Sequence, residues 1–336
     1  MKKDAIITFD YEVFLGHQTG TIENSVIRPT KMILEVLKQN YAKAIFFVDT
    51  TWIHFLKENF PTDFQLVSEQ LKDIIKAGSS VELHLHPQWI QAYRIGDKIG
   101  FKTFENYRLH SLSQEDVINL FRKSIELLES ITSQKVRCFR AGGFCIEPFS
   151  QIKNAFETFG IRYDFSVIPG TYLKEGNGYD FDFSNAPKLS FYNFQCDINK
   201  PETTGQFVEI TVNTFKNNPI CRIINKILLK LNGDKIYGDG KSIQESPFFF
   251  FKSLYRRLKF SNSILTTDKT SKAIFRNLLR NQYRRFRLLV IVSHTKTMSK
   301  QALDNLSYVT KNYCTHNTFE LDNLLMNHSD TINRSI

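Results

Sequence analysis

Two hydrophobic periods alternate along the first 200 residues of the chain. Short runs rich in Ile, Phe and Val, namely DAIITFD (4–10), AIFFVD (44–49), SVELHLH (80–86), VRCFRAG (136–142) and YDFSV (163–167), read as strands. Between them, apolar residues recur at helical spacing: Met32, Ile33, Val36 and Leu37; then Leu66, Val67, Leu71, Ile74 and Ile75; then Ile118, Phe121, Ile125, Leu127 and Leu128. These predict helices over 30–39, 64–76 and 117–131, the third capped by Ser113 with Asp116 three residues on.

After YDFSV the rhythm loosens. Residues 170–200, rich in Gly, Asn, Asp and Tyr, read as a long loop; FVEITVNTF (207–215) and RLLVIVSH (287–294) are further strands, and 300–312 a closing helix. The chain is thus expected to be a single domain over 1–320, with 216–286 inserted before the last strand and 321–336 a polar tail. Alternating strands and helices imply an α/β fold with parallel strands.

A distorted, closed or nearly closed (β/α) barrel explains the pattern better than an open sheet, because nearly every strand carries a polar group at or near its end. Asp10, with Glu12 two residues on, Asp49, His84 and His86, Arg140, Asp164 and His294 all have such positions. The C-terminal strand ends of a β/α barrel form one rim, where active sites sit. His84 and His86 lie two apart on one strand and so face the same way, which suits a shared divalent ion with carboxylates completing the shell. Glu209, inside FVEITV, is a rim carboxylate or a solvent-facing strand residue.

Charge adds a second feature. The net charge of +10 is concentrated between Lys252 and Arg287, with eleven Lys/Arg against the single acid Asp268. Across 248–287 these cations are interleaved with Phe, Tyr and Leu. Such a segment is either a solvated helical face or a contact for an anionic membrane or a phosphate-bearing lipid carrier. Nucleic acid is set aside, since no recognition motif accompanies the basic residues. The five cysteines form no CxxC pair and argue against a disulfide framework. Without an apolar run long enough for a signal peptide or a bilayer span, the expected location is cytoplasmic, with peripheral contact at the inner membrane face.

The segments ITFDYE (7–12), AIFFVDT (44–50), VELHLHP (81–87), FRAGGF (139–144), YDFSV (163–167) and VSHTK (292–296) follow the motif order of polysaccharide deacetylases. The chain resembles that NodB-homology, carbohydrate esterase family 4 group, and most closely its subgroup in O-antigen and surface-polysaccharide biosynthesis. The resemblance implies a metal-dependent hydrolase that removes the acetyl group from an N-acetylated sugar, lipid- or nucleotide-linked. Asp10 takes the place of the catalytic base, Arg140 of the arginine that orients it, and His294 of the general acid. His84 and His86 match the metal histidines. Tyr11 stands where the family has a second aspartate, so Glu12 is the expected third ligand, with Asp10, Asp49 and Glu82 as alternates. Zinc is the first expectation for the ion, with cobalt, nickel or manganese also accepted by such a site. Gly142 and Gly143 permit close approach of a substrate carbonyl to the backbone and, with Asp164 and Glu209, make up the expected substrate-binding set. Two other readings stay open: a C–N hydrolase for a small non-sugar amide, and a degenerate barrel that binds a glycan or partner without turnover.

Overall fold

A computed structural model describes residues 3–16, 18–103, 106, 108–174, 180–241, 261–286 and 288–329. Residues 248–260 and Arg287 of the basic segment lie outside the described residues. The central sheet has nine strands: β1 (Lys3–Tyr11), β2 (Ile45–Asp49), β3 (Ser80–Leu85), β4 (Cys138–Ala141), β5 (Tyr163–Asp164), β6 (Phe191–Phe194), β7 (Phe207–Ile210), β8 (Leu288–His294) and β9 (Tyr313–Thr315). Their order is β6-β7-β5-β4-β3-β2-β1-β8, and β9 pairs with the start of β1. All neighbours are parallel except β6 and β7.

Helices α1 (Arg28–Gln39), α2 (Thr50–Asn59), α3 (Pro61–Lys76), α4 (Gln114–Thr132) and α5 (Lys153–Phe159) alternate with the parallel strands. Four more follow: α6 (Pro219–Leu231), α7 (Lys272–Arg285), α8 (Lys300–Asn312) and α9 (Leu321–Ser329). The Ser113 hydroxyl accepts the Asp116 amide at the start of α4, as its spacing predicts. Among the described residues no helix is long and apolar enough to cross a membrane.

Strand alternation divides the core in two. Ala5, Ile7, Phe9 and Tyr11 of β1 pack into the large cluster beneath the helices. The alternate face looks into the curled sheet, where Ile6, Ile45, Phe47, Cys138, Val208, Leu288 and Val290 form a second apolar cluster. That inner cluster includes Leu321, Leu324 and Leu325 of α9. The polar tail expected from residue 321 is therefore a packed helix up to Ser329. Three leucines at helical spacing give it a face to bury, and Asp322 bonds Arg137 and Tyr163.

Two further departures concern the second half. The long loop at 170–200 contains a hairpin (Tyr172–Lys174 with Asp180–Asp182) and the antiparallel edge strand β6. FVEITVNTF does not run as one strand: β7 stops at Ile210, and Thr214–Asn217 pairs instead with Ser261–Ile264.

The interruption after Ile210 closes the barrel. β7 and β8 are not neighbours in the sheet, and the gap is spanned by Asn213 and Leu265. Asn213 accepts the Val290 amide on its side-chain oxygen at 2.5 Å and the Leu265 amide on its carbonyl at 2.8 Å. Leu265 in turn accepts from the Val292 amide at 3.1 Å. Replacing Asn213 with Ala would leave the buried Val290 amide without its acceptor. The expected loss is about 1–3 kcal/mol of unfolding free energy, read from denaturant titration of Asn213→Ala beside the parent; an unchanged midpoint would mean the closure does not depend on this side chain.

Candidate active site and metal centre

The inward residues become polar toward the C-terminal ends of the strands. Thr8, Asp10, Glu12, Asp49, His84, His86 and Arg140 are all buried, and His294 is partly open. Parallel register sets their heights: Asp10 lies beside His294, His84 beside both Asp49 and Arg140.

Arg140 is completely buried and each bonded nitrogen has its own partner. Nη1 donates to Asp10 Oδ1, Nη2 to Thr8 Oγ1 at 2.9 Å, and Nε to the Phe165 carbonyl at 3.1 Å. The guanidinium also lies 4.3 Å from the Phe47 ring centroid. Burial pushes the Asp10 carboxyl up, but the Arg140 charge, with that of His294, outweighs it and holds it below its ordinary value. Asp10 is therefore ionised at neutral pH and able to accept a proton.

Glu12 meets the histidine pair. Its Oε2 lies 2.8 Å from His86 Nε2 and 3.8 Å from His84 Nε2, and its Oε1 accepts from Lys296 Nζ at 2.8 Å. Burial raises the Glu12 carboxyl, yet Lys296 and His86 bring it well below the usual carboxylate range. The imidazoles of His84 and His86 stand edge to face, with centroids 4.7 Å apart.

A divalent ion fits this donor set. His84 Nδ1 bonds the Arg140 carbonyl at 2.7 Å, which makes it the protonated nitrogen and turns the Nε2 lone pair inward. That Nε2 is buried and makes no hydrogen bond among the described residues. Burial depresses the His84 pKa to about 4, so the ring is neutral, as a metal ligand must be. Glu12, His84 and His86 can each bring one donor atom within 4.8 Å of the others, and so can Asp10, Glu12 and His294.

The other expected ligands stand apart from both groups. Asp49 caps α2 through the Trp52 amide and binds Thr51, whose hydroxyl exchanges hydrogen bonds with the His86 backbone. Burial lifts its pKa to about 6. Glu82 takes the Arg137 and Cys138 amides at 2.9 and 2.8 Å, a structural use, and burial raises it to about 7.

Asp164 and Glu209 were expected at the substrate, but both are wholly buried, with no surface open to a ligand. They lie side by side in register and share a hydrogen bond. Burial and the Asp164 charge push Glu209 well above its ordinary value, so it is the protonated, donating partner. Asp164 also accepts from the amide and hydroxyl of Ser166, and Ser166 accepts the Ala141 amide next to Arg140. The pair thus braces β4 from below. Gly142 stands in the turn after β4, where an added Cβ would lie 2.5 Å from the Leu85 carbonyl and 2.7 Å from His86 Nδ1. Gly143 follows with φ of 59°. The turn seats the His86 ring, and any side chain at Gly142 would displace it.

Residues 1–147 match the family model for polysaccharide deacetylase. Over those N-terminal residues the chain is similar to polysaccharide deacetylases. Asp10, Glu12, His84, His86 and Arg140 all fall within the matched residues, while His294 joins them from beyond by pairing of β8 with β1. No curated protein matches by sequence. Among solved structures, the fold is similar to that of a protein classed as a polysaccharide deacetylase from Mycobacterium smegmatis: TM-score 0.50, 13% identity, covering 98% of this chain and 92% of that one. A peptidoglycan deacetylase from Bacillus subtilis matches at TM-score 0.40 and 12% identity, over 99% of this chain and 96% of its own. A carbohydrate esterase family 4 pseudoenzyme from Bacillus anthracis matches at TM-score 0.38 and 15% identity, over 95% of this chain and 65% of its own.

Two groups at this site are not singled out by the sequence pattern. Lys296 is the last residue of VSHTK. Asp268 is the only acid of the basic stretch, and that isolation was its one visible signal. Asp268 Oδ2 accepts from the His294 backbone amide at 2.9 Å, lies 3.1 Å from His294 Nδ1, and accepts from Thr297 Oγ1 at 2.6 Å. His294 Nε2 is thereby aimed toward Asp10, 3.5 Å from its Oδ2. Burial lowers the imidazole pKa, but the Asp268 hydrogen bond and the Asp10 charge outweigh that and leave it raised.

Substituting Asp268 with Asn should therefore do two things in a deacetylation assay. The rate constant kcat should fall about 100-fold or more with little change in KM, as for a misaligned general acid. The alkaline limb of the pH–rate profile should move to lower pH, because His294 loses a partner that favours its protonated form. A profile unshifted in both respects would show that Asp268 serves the fold alone.

Proposed function

We propose that the protein removes the acetyl group from an N-acetylated sugar by metal-assisted hydrolysis, with Asp10 as base and His294 as acid. The observation that supports this reading is the placing of the Asp10 carboxylate 3.5 Å from the His294 imidazole, beside Glu12, His84 and His86, whose donor atoms lie close enough to share one divalent ion. When bound, a divalent ion polarises a substrate carbonyl and acidifies water. Asp10 takes the proton of the attacking water as its oxygen bonds to the acetyl carbon. Arg140 keeps that carboxylate in place and charged. His294 delivers its proton to the departing nitrogen as the C–N bond breaks, giving acetate and a free amino sugar. Lys296 holds Glu12 toward the two imidazoles.

The substrate is a lipid- or nucleotide-linked sugar of surface-polysaccharide assembly, and zinc is the ion that suits a two-histidine, one-carboxylate set with open positions. The basic, aromatic segment 248–287 supports this reading, since it matches the chemistry of an anionic bilayer or a diphosphate carrier. The protein then works at the cytoplasmic face of the membrane.

The test is acetate release from N-acetylhexosamine conjugates by the parent and by Asp10→Asn, each with zinc supplied. The parent should release acetate, and the variant should fold normally yet lose at least about 100-fold of the rate. Hydrolysis of simple amides but no acetamido sugar would move the assignment to another C–N hydrolase. No turnover with any amide, despite a filled metal pocket, would leave a glycan-binding barrel.

A further inference from the structure

Helix α6 buries none of its 13 residues. Ile220, Ile223, Ile224, Ile227 and Leu231 recur at three- and four-residue steps, so they form one stripe along the helix. Each is between 45% and 76% exposed. They are five of the fourteen large apolar residues exposed among the described residues, gathered within twelve positions. Scattered exposed apolar residues need no explanation, but a continuous stripe on an otherwise well-packed protein does.

Charge says what covers it. The helix holds no acid, and Arg222, Lys226 and Lys230 lie off the apolar stripe, with Lys216 just ahead of it. Helix α7 is likewise without acids and exposes Lys272, Arg280, Arg284 and Arg285. An aliphatic stripe flanked by cations matches acyl chains beneath anionic headgroups. A second copy of the same face would instead set like charges against each other.

The position ties this face to the rim. Asn225, on the side of α6 away from the stripe, donates to the Lys269 carbonyl at 2.8 Å and accepts the Ser271 amide at 2.7 Å. Those two residues closely follow Asp268, which holds His294. Just beyond the helix, Asp234 accepts from Ser299 Oγ at 2.9 Å, and the Tyr237 amide donates to the Met298 carbonyl at 2.8 Å. The helix is thus fastened to both segments that frame His294, with its apolar stripe turned outward.

We propose that α6 is an interfacial anchor that lies in the headgroup region of an anionic bilayer and holds the active-site rim at the membrane surface. This deepens the reading of a membrane-facing enzyme, but it requires no catalysis and assigns the contact to residues 219–231.

The test is co-sedimentation of the full chain with vesicles of phosphatidylglycerol and phosphatidylcholine, and with phosphatidylcholine alone, for the parent and for Ile223→Asp/Ile227→Asp. The parent should bind the anionic vesicles at least about tenfold better than the neutral ones, and the variant should lose at least about tenfold of that partitioning. Because both side chains point to solvent, the variant should keep its circular dichroism spectrum, melting temperature and metal content. Equal partitioning of parent and variant would overturn the assignment, as would absence of parent binding. A parent dimer that the substitutions dissolve, with no vesicle binding, would give the face to a second copy instead. Vesicle binding that fails while acetate release survives sinks the anchor alone, and the converse sinks only the catalytic reading.

Discussion

A buried guanidinium organises this protein. Arg140 has no access to water, and an uncompensated charge in that position would cost several kcal/mol. The barrel interior answers it with Asp10 and the Thr8 hydroxyl of β1, the Phe165 carbonyl and the Phe47 ring, which come from three different segments. The requirement fixes Asp10 in one rotamer and keeps it ionised. It also fixes the height of β4 against β3, so the Arg140 carbonyl meets His84 Nδ1 and selects the tautomer that presents Nε2 inward. One charged side chain thus positions both the proposed base, Asp10, and the proposed metal ligand, His84.

The second constraint is closure of the sheet. β8 brings His294 to Asp10 by register, but the imidazole needs a partner on its far side. The segment that fills the gap between β7 and β8 supplies it: Leu265 bonds β8 and Thr267 bonds Ser293, which leaves Asp268 beside His294. Structural closure and orientation of the His294 imidazole are therefore the same event. α6 is attached to this segment too, so the rim, His294 and the outward apolar stripe form one mechanical unit.

Much of this was legible in the sequence because parallel strands carry their chemistry at their ends. His84 and His86, two apart on a strand, had to face the same way, and Asp10, Arg140 and His294 closed strong apolar runs. That Glu12 shares a face with Asp10 followed from the same period-two logic. What stayed hidden depends on tertiary context. Glu82 and His84 share a strand face, yet only register decides that Glu82 meets the backbone of Arg137 and Cys138 at the lower end. Asp164 and Glu209 look like rim acids until their strands are seen to be neighbours, with both carboxyls below Arg140. Asp268 could not be found by pattern, because its strand-like segment is held by the gap it fills. The three leucines of α9 were masked by polar neighbours that face outward at the foot of the barrel.

The proposed chemistry rests on a divalent ion held by Glu12, His84 and His86. Elemental analysis of the purified protein beside His86→Ala and Glu12→Gln tests that most directly. Roughly one divalent ion per chain is expected in the parent, and its loss from both variants with the fold intact. A parent that takes up no ion after incubation with zinc, or variants that retain it fully, would contradict the central claim.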